Sequence, residues 1–209
     1  MAVSSKLIPI TLVMALGAAI FLTGCSDQTS SSSSDGIANA RGEATTMTLS
    51  EAFRGDDFRI WYEVNDTGKD GYVSSMYVVE NGKVVCYETV ADYVLGSFAK
   101  VNDSGILDSI EEKIAEEYEM YGSLGAGSKE IPVEFHLVTD KTGNNVSYEE
   151  IKLGTRTLKI RGLVGPFQVY DSVYAGYNVG GYNLVTRINP GEDITFITDG
   201  INAANVTID

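Results

Sequence analysis

The 209-residue chain holds one histidine, two cysteines, four prolines and one tryptophan, and its 15 Lys and Arg are outnumbered by 29 Asp and Glu, for a formal charge of −14. Each shortage excludes something. A lone His136 cannot supply the several His or Cys ligands of the usual zinc sites, and a histidine-dependent nucleophilic triad has only this one residue to draw on. It stands in Glu134-Phe135-His136-Leu137, on the polar side of an alternating stretch, with no partner visible nearby. The deficit of bases argues against nucleic acid and against anionic lipid heads as partners, because the surface repels both. The acidic excess is read first as a solubility device, and second as an attraction for cations or basic partners.

The chain also lacks an apolar run long enough to span a bilayer. Leu7 to Phe21 is apolar apart from Pro9, Thr11 and glycine, follows the single charge of Lys6, and stops at Thr23-Gly24-Cys25 without a basic stop-transfer cluster. A spanning helix needs about 20 such residues, so the layout is that of a signal peptide. Leu22-Thr23-Gly24-Cys25 resembles the lipobox of bacterial lipoproteins. That resemblance implies a diacylglycerol on the Cys25 thiol, cleavage before it, and further acylation by fatty acid such as palmitate. Two or more acyl chains hold a protein at a membrane where one lets it go, at roughly 0.8 kcal/mol per buried methylene.

The implied organisation is a leader over residues 1–24, a lipidated Cys25 with a tether over 25–46, and one globular domain over 47–209. The unbroken run Ser30 to Ser34 sits in a stretch with almost nothing apolar to bury, hence the tether. The lipid, rather than charge, is then what keeps the protein on the extracytoplasmic face of the membrane. If Cys25 is acylated, Cys86 has no disulfide partner. In Lys83-Val84-Val85-Cys86-Tyr87-Glu88 it reads as a buried, inert thiol, since a reactive one would need a cationic neighbour that the local sequence does not offer.

Along the domain the hydrophobic period is mostly two. Phe58, Ile60, Tyr62 and Val64 alternate with Arg59 and Glu63, which predicts a strand with one wet face, although Trp61 breaks the rule. Tyr72 to Glu80 and Lys83 to Val90 flank Asn81-Gly82, a pair suited to a two-residue type I′ hairpin, so three strands form a meander. From Ser104 to Tyr121 the period changes. Leu107, Ile110, Ile114, Tyr118 and Tyr121 recur every three or four residues, and the glutamates between them face away, which predicts a helix capped by Asp103 or Ser104 and ended by Gly122. Gly122 to Lys129 reads as a glycine-rich link. Strands are expected again at 133–137, 155–161, 167–174, 182–188, 193–198 and 205–209, with a turn at 140–145. The expected fold is mainly β with one packed α-helix (α+β), an antiparallel sandwich or a curled sheet.

This layout resembles uncharacterised surface lipoproteins of Gram-positive bacteria, which share a lipobox, a serine-rich tether, a strand meander, an acidic helix and a tyrosine-rich β segment. Here that segment reads Val169-Tyr170-Asp171-Ser172-Val173-Tyr174-Ala175-Gly176-Tyr177. The resemblance implies no activity.

Three further patterns bear on chemistry. Ser97-Phe98-Ala99-Lys100 and Lys141-Thr142-Gly143 match two motifs of penicillin-binding proteins, but no S-D-N occurs and the second motif falls in a turn, so the match is accidental. Asp66-Thr67-Gly68-Lys69-Asp70-Gly71 opens like a calcium loop, yet lacks the later glutamate and lies between strands. A β-turn is the first reading, and weak calcium binding by Asp66 and Asp70 the second; no other cofactor is expected. Tyr170, Tyr174, Tyr177 and Tyr182 form a candidate contact surface for a peptide, a glycan or an envelope protein. Catalytic residues are not assigned. The expected function is that of a membrane-anchored, non-catalytic binding module, and the alternative is an extracellular hydrolase working through paired carboxylates.

Overall fold

A computed structural model describes residues 45–88, 93–121 and 127–209. Cys25, the expected leader and nearly all of the expected tether lie outside the described residues. Strand β1 (Thr45–Thr48) leads directly into helix α1 (Leu49–Arg54). Thr48 caps α1, its side chain accepting from Glu51 N while Glu51 returns a carboxylate to Thr48 N at 2.8 Å, a closed capping box.

The largest sheet is antiparallel and has seven strands. Its spatial order is β5 (Ser128–Ile131), β4 (Lys83–Glu88), β3 (Val73–Glu80), β2 (Arg59–Val64), β11 (Asn183–Ile188), β10 (Ser172–Asn178) and β9 (Gly162–Val169). A second sheet contains β13 (Thr207–Ile208), β6 (Val133–Thr139), β7 (Val146–Leu153) and β8 (Arg156–Ile160); β13 runs parallel to β6 and the rest antiparallel. β1 pairs in parallel with β12 (Ile194–Ile197).

Two cores flank the large sheet. On one face Trp61, Tyr77, Val84, Tyr177 and Leu184 meet Phe53 of α1 and Phe135, Ile151 and Leu158 of the smaller sheet. On the other face Ile60, Tyr62, Met76, Tyr174 and Val185 pack against the short helix α2 (Leu95–Phe98) and against Ile106 and Ile110 of α3 (Asp103–Tyr121). The fold is therefore mainly β, a sandwich of two sheets with one long helix packed on the outer face of the larger, as the hydrophobic periods predict.

The meander and its hairpin are as read from the sequence. Glu80 pairs with Lys83 across Asn81 and Gly82, whose φ values of 52° and 69° are those of a type I′ turn. The long helix also stands where its period places it, but its cap is Asn102, whose Oδ1 accepts from Gly105 N at 2.9 Å. Ile106 and Ile110 are its buried residues, whereas Tyr118 is 61% exposed. Gly122 lies outside the described residues.

Other expectations are corrected. β2 has no wet face: Arg59 and Glu63 are buried, because the strand sits between β3 and β11 with a core on either side. The single strand expected at 167–174 is two, β9 and β10, reversed at Tyr170, which adopts φ 51° without a glycine to announce it. The stretch read as a link to Lys129 already contains the start of β5, and β7 was not anticipated. Close approach fixes one glycine: a Cβ on Gly176 would lie 2.1 Å from Leu184 O on the neighbouring strand.

Candidate functional site: a cleft between the two sheets

The register of the large sheet carries Tyr77 of β3 beside Cys86 of β4, and Cys86 beside Lys129 of β5. These side chains, with Ser75, form one wall of a cleft of about 550 Å³, and Leu153, Thr155 and Arg156 of the β7–β8 hairpin form the opposite wall. Ile131 and Pro132 line it as well. The hairpin is tight at Gly154, where φ is 62° and a Cβ would press within 3.3 Å of Ile131. Gly154 N also donates to Pro132 O at 2.9 Å, which ties the β5–β6 crossing to the hairpin. The volume lies within the usual range for small-molecule sites, roughly 300 to 1,000 Å³.

Under the cleft lies Glu63, fully buried on β2. Its carboxylate accepts from the Arg156 guanidinium and from the Tyr77 hydroxyl at 3.3 Å, while the other Arg156 terminal nitrogen donates to Ser75 Oγ at 3.3 Å. Burial raises the Glu63 pKa above the ordinary carboxylate value, and Arg156 and Tyr77 oppose that rise. Arg156 itself remains 43% exposed. The ion pair thus bridges the two sheets and presents a fixed guanidinium at the cleft. A charged residue inside the β2 alternation was the signal for it, visible in the sequence as Glu63 but read as solvated.

A second cluster joins α1, β7 and the segment after β12. Asp199 accepts from Ser50 N at 2.9 Å and from Ser50 Oγ at 2.5 Å, and Asp199 N donates to Glu149 Oε2 at 3.2 Å. Burial, and then the adjoining Asp199 carboxylate, push the Glu149 pKa up to about 9. Burial acts to raise Asp199 too, but hydrogen bonds from Glu149 and Ser50 outweigh it and leave Asp199 below the ordinary value. The two shifts run in opposite directions, as they do for neighbouring carboxyl groups whose titrations are coupled. An open hollow of about 350 Å³ beside them is lined by Ser50, Arg54 and Asp199, whereas Glu149 is not among its lining residues. The signal for this acid was the alternation Glu149, Ile151, Leu153 in β7, which puts a carboxyl on the inward face.

The structure does not bring the four tyrosines into one surface. Tyr174 and Tyr177 are wholly buried, in the two opposite cores, and only Tyr170 and Tyr182 are exposed. Successive positions in β10 alternate between faces, and here both faces are covered. Tyr177 donates to Ile197 O at 2.9 Å, and Lys100 Nζ lies 4.2 Å above the Tyr170 ring. Asp66 and Asp70 turn to separate neighbours: Asp66 Oδ1 accepts from Thr67 N at 2.7 Å, and Asp70 pairs with Lys69 at 2.8 Å. Among the described residues no group of three His, Cys, Asp or Glu side chains is placed to hold a metal ion.

His136 acquires one partner that its local sequence does not show, Asp209, and one that it does, Glu134. Its Nδ1 is 2.9 Å from Asp209 Oδ2, across the β6–β13 pairing, and Nε2 is 3.4 Å from Glu134. The hydrogen bond to Asp209 leads the effects that raise its pKa. Cys86 is buried as expected, yet its cross-strand neighbour is the cationic Lys129.

The chain matches no protein-family model, no curated protein and no solved structure. No helix among the described residues is long and apolar enough to cross a membrane.

Proposed function

We propose that the protein is a lipoprotein anchored through Cys25 to the extracytoplasmic face of a membrane, and that its β-rich domain is a non-catalytic binding module whose ligand occupies the cleft between the sheets. The lipobox sequence and the serine-rich tether support the anchoring. The observation that carries the binding role is the cleft itself, where a buried carboxylate holds a half-exposed guanidinium at the junction of the two sheets. A pocket that mixes apolar walls with a few fixed polar groups is the usual form of a small-ligand site. Two measurements test the reading. Metabolic labelling with a fatty acid should mark the protein, and Cys25→Ser should abolish the label and release the protein from the membrane fraction. A small-molecule screen followed by two-dimensional NMR should give shifts centred on Ser75, Tyr77, Lys129 and Thr155; shifts elsewhere would reject the cleft.

The alternative reading, an extracellular hydrolase using paired carboxylates, draws on Glu149 and Asp199. Two acids sharing a proton are a known hydrolytic arrangement. Against it, both are buried, and Asp199 already accepts two hydrogen bonds from Ser50. Turnover of glycan or peptide substrates, lost in both Glu149→Gln and Asp199→Asn, would favour the hydrolase.

A further inference from the structure

We infer that the cleft selects an organic anion, specifically a small carboxylate with an apolar tail, held by Lys129 and Arg156 at its head. The inference rests on the binding role proposed above and adds the ligand class. In a chain where acids outnumber bases by 29 to 15, the residues lining this cleft include two bases and no acid. Two other hollows differ. The one beside α1 is lined by Glu51 and Asp199 with Arg54, and one of about 530 Å³ at the β11–β12 turn by Asp171 and Glu192 with Arg187.

The two cations reach the cleft from different sheets, Lys129 from the edge strand β5 and Arg156 from β8. Lys129 is exposed, and among the described residues no hydrogen bond or ion pair engages its side chain. Arg156 is anchored from beneath by Glu63 and Ser75, so its guanidinium is positioned before a ligand arrives. Preorganisation of this kind lowers the ordering cost of binding. The hydroxyls of Ser75, Tyr77 and Thr155 stand beside the cations, and Ile131, Pro132 and Leu153 provide the apolar surface for a short tail. Charge-assisted hydrogen bonds are about twice as strong as neutral ones, so the ionised head group dominates selectivity.

The test is calorimetric titration of the purified full chain with 4-methylpentanoate and, separately, with its neutral analogue 4-methylpentanamide. The carboxylate should bind at least about tenfold more tightly than the amide, and the preference should shrink as salt is raised. Lys129→Gln should weaken carboxylate binding several-fold while leaving the melting temperature unchanged. Glu63→Gln combined with Arg156→Gln, which removes the buried pair without orphaning either partner, should reduce the preference for acid over amide further. Equal binding of acid and amide, with NMR shifts in the cleft, would overturn the anion assignment and leave the binding role standing. Carboxylate binding indifferent to both variants would also overturn it. Absence of binding by either probe would reject the ligand class, whereas ligands from the screen that map elsewhere would reject the cleft as well.

Discussion

Glu149 and Asp199, 50 residues apart in the chain, form one buried acid pair in which Asp199 N donates to Glu149 Oε2 at 3.2 Å and burial pushes the Glu149 pKa up to about 9. Because Ser50 N and Oγ both donate to Asp199, the pair also fixes the first turn of α1 to the end of β12. The pair joins three elements, and its energetics depend on pH.

Glu149 binds its proton more tightly folded than unfolded. Its stabilising contribution is therefore complete below the ordinary carboxylate pKa of 4.5 and is lost as pH rises toward about 9. The depressed pKa of Asp199 acts in a separate window: its contribution is complete above the ordinary value of 3.8 and is lost only as pH falls below it, so it stays constant over the range in which Glu149 titrates. Glu149→Gln retains an N–H to donate and a carbonyl oxygen to accept from Asp199 N, and removes the titration. Urea unfolding at pH 5, 7 and 9 should show the wild type losing on the order of a few kcal/mol more than the variant across this range. Parallel curves would mean that Glu149 is ionised in the fold.

Removing one member of the Glu63–Arg156 pair leaves a charge buried alone. Arg156→Gln should cost roughly 2–4 kcal/mol, the low side of the usual range because Arg156 is 43% exposed. Adding Glu63→Gln should restore at least half of the loss. A double-mutant cycle by chemical denaturation measures the coupling, and additive losses would deny the contact.

The tyrosines divide by burial. Tyr177→Ala should cost about 3–5 kcal/mol through the cavity it leaves beside Trp61 and Phe196, whose ring centroids lie 6.0 and 5.7 Å away. Tyr177→Phe forfeits only the bond to Ile197 O, about 1 kcal/mol. Tyr174→Phe should be neutral or slightly stabilising, because the Tyr174 hydroxyl is buried without a well-directed partner. Tyr170→Ala should stay within about 0.5 kcal/mol. Thermal melts of the four variants give this order directly.

Gly176→Ala places a methyl against Leu184 O, where the backbone cannot yield, and should destabilise by several kcal/mol; Gly127→Ala, whose new Cβ meets nothing within 4 Å, is the matched control. Comparable melting temperatures would show that β10 and β11 can separate locally.

Much of the fold was legible in the sequence. Periods of two and of three to four residues report which side of an element meets apolar surface, and Asn81-Gly82 specifies its own turn chemistry. Thus the meander, the hairpin and the helix over Asp103–Tyr121 follow from local rules. Less of the cleft was legible. Arg59 and Glu63 look like a solvated face when only their own strand is considered, since an alternating charge has the same pattern whether water or an ion pair receives it.

What local sequence cannot carry is the identity of the surface opposite. Placing β2 between β3 and β11, and laying β6–β8 over it, decided that Glu63 meets Arg156 and that Tyr174 and Tyr177 serve two cores rather than a binding face. The same packing set Lys129 beside Cys86, Asp209 beside His136 and Asp199 against Glu149. The sequence by itself determined the mainly β character, the long helix and the acidic excess, because these depend on composition and on neighbours along the chain. The tertiary structure alone decided which charges are buried, because burial and pairing depend on residues as far as 149 positions away.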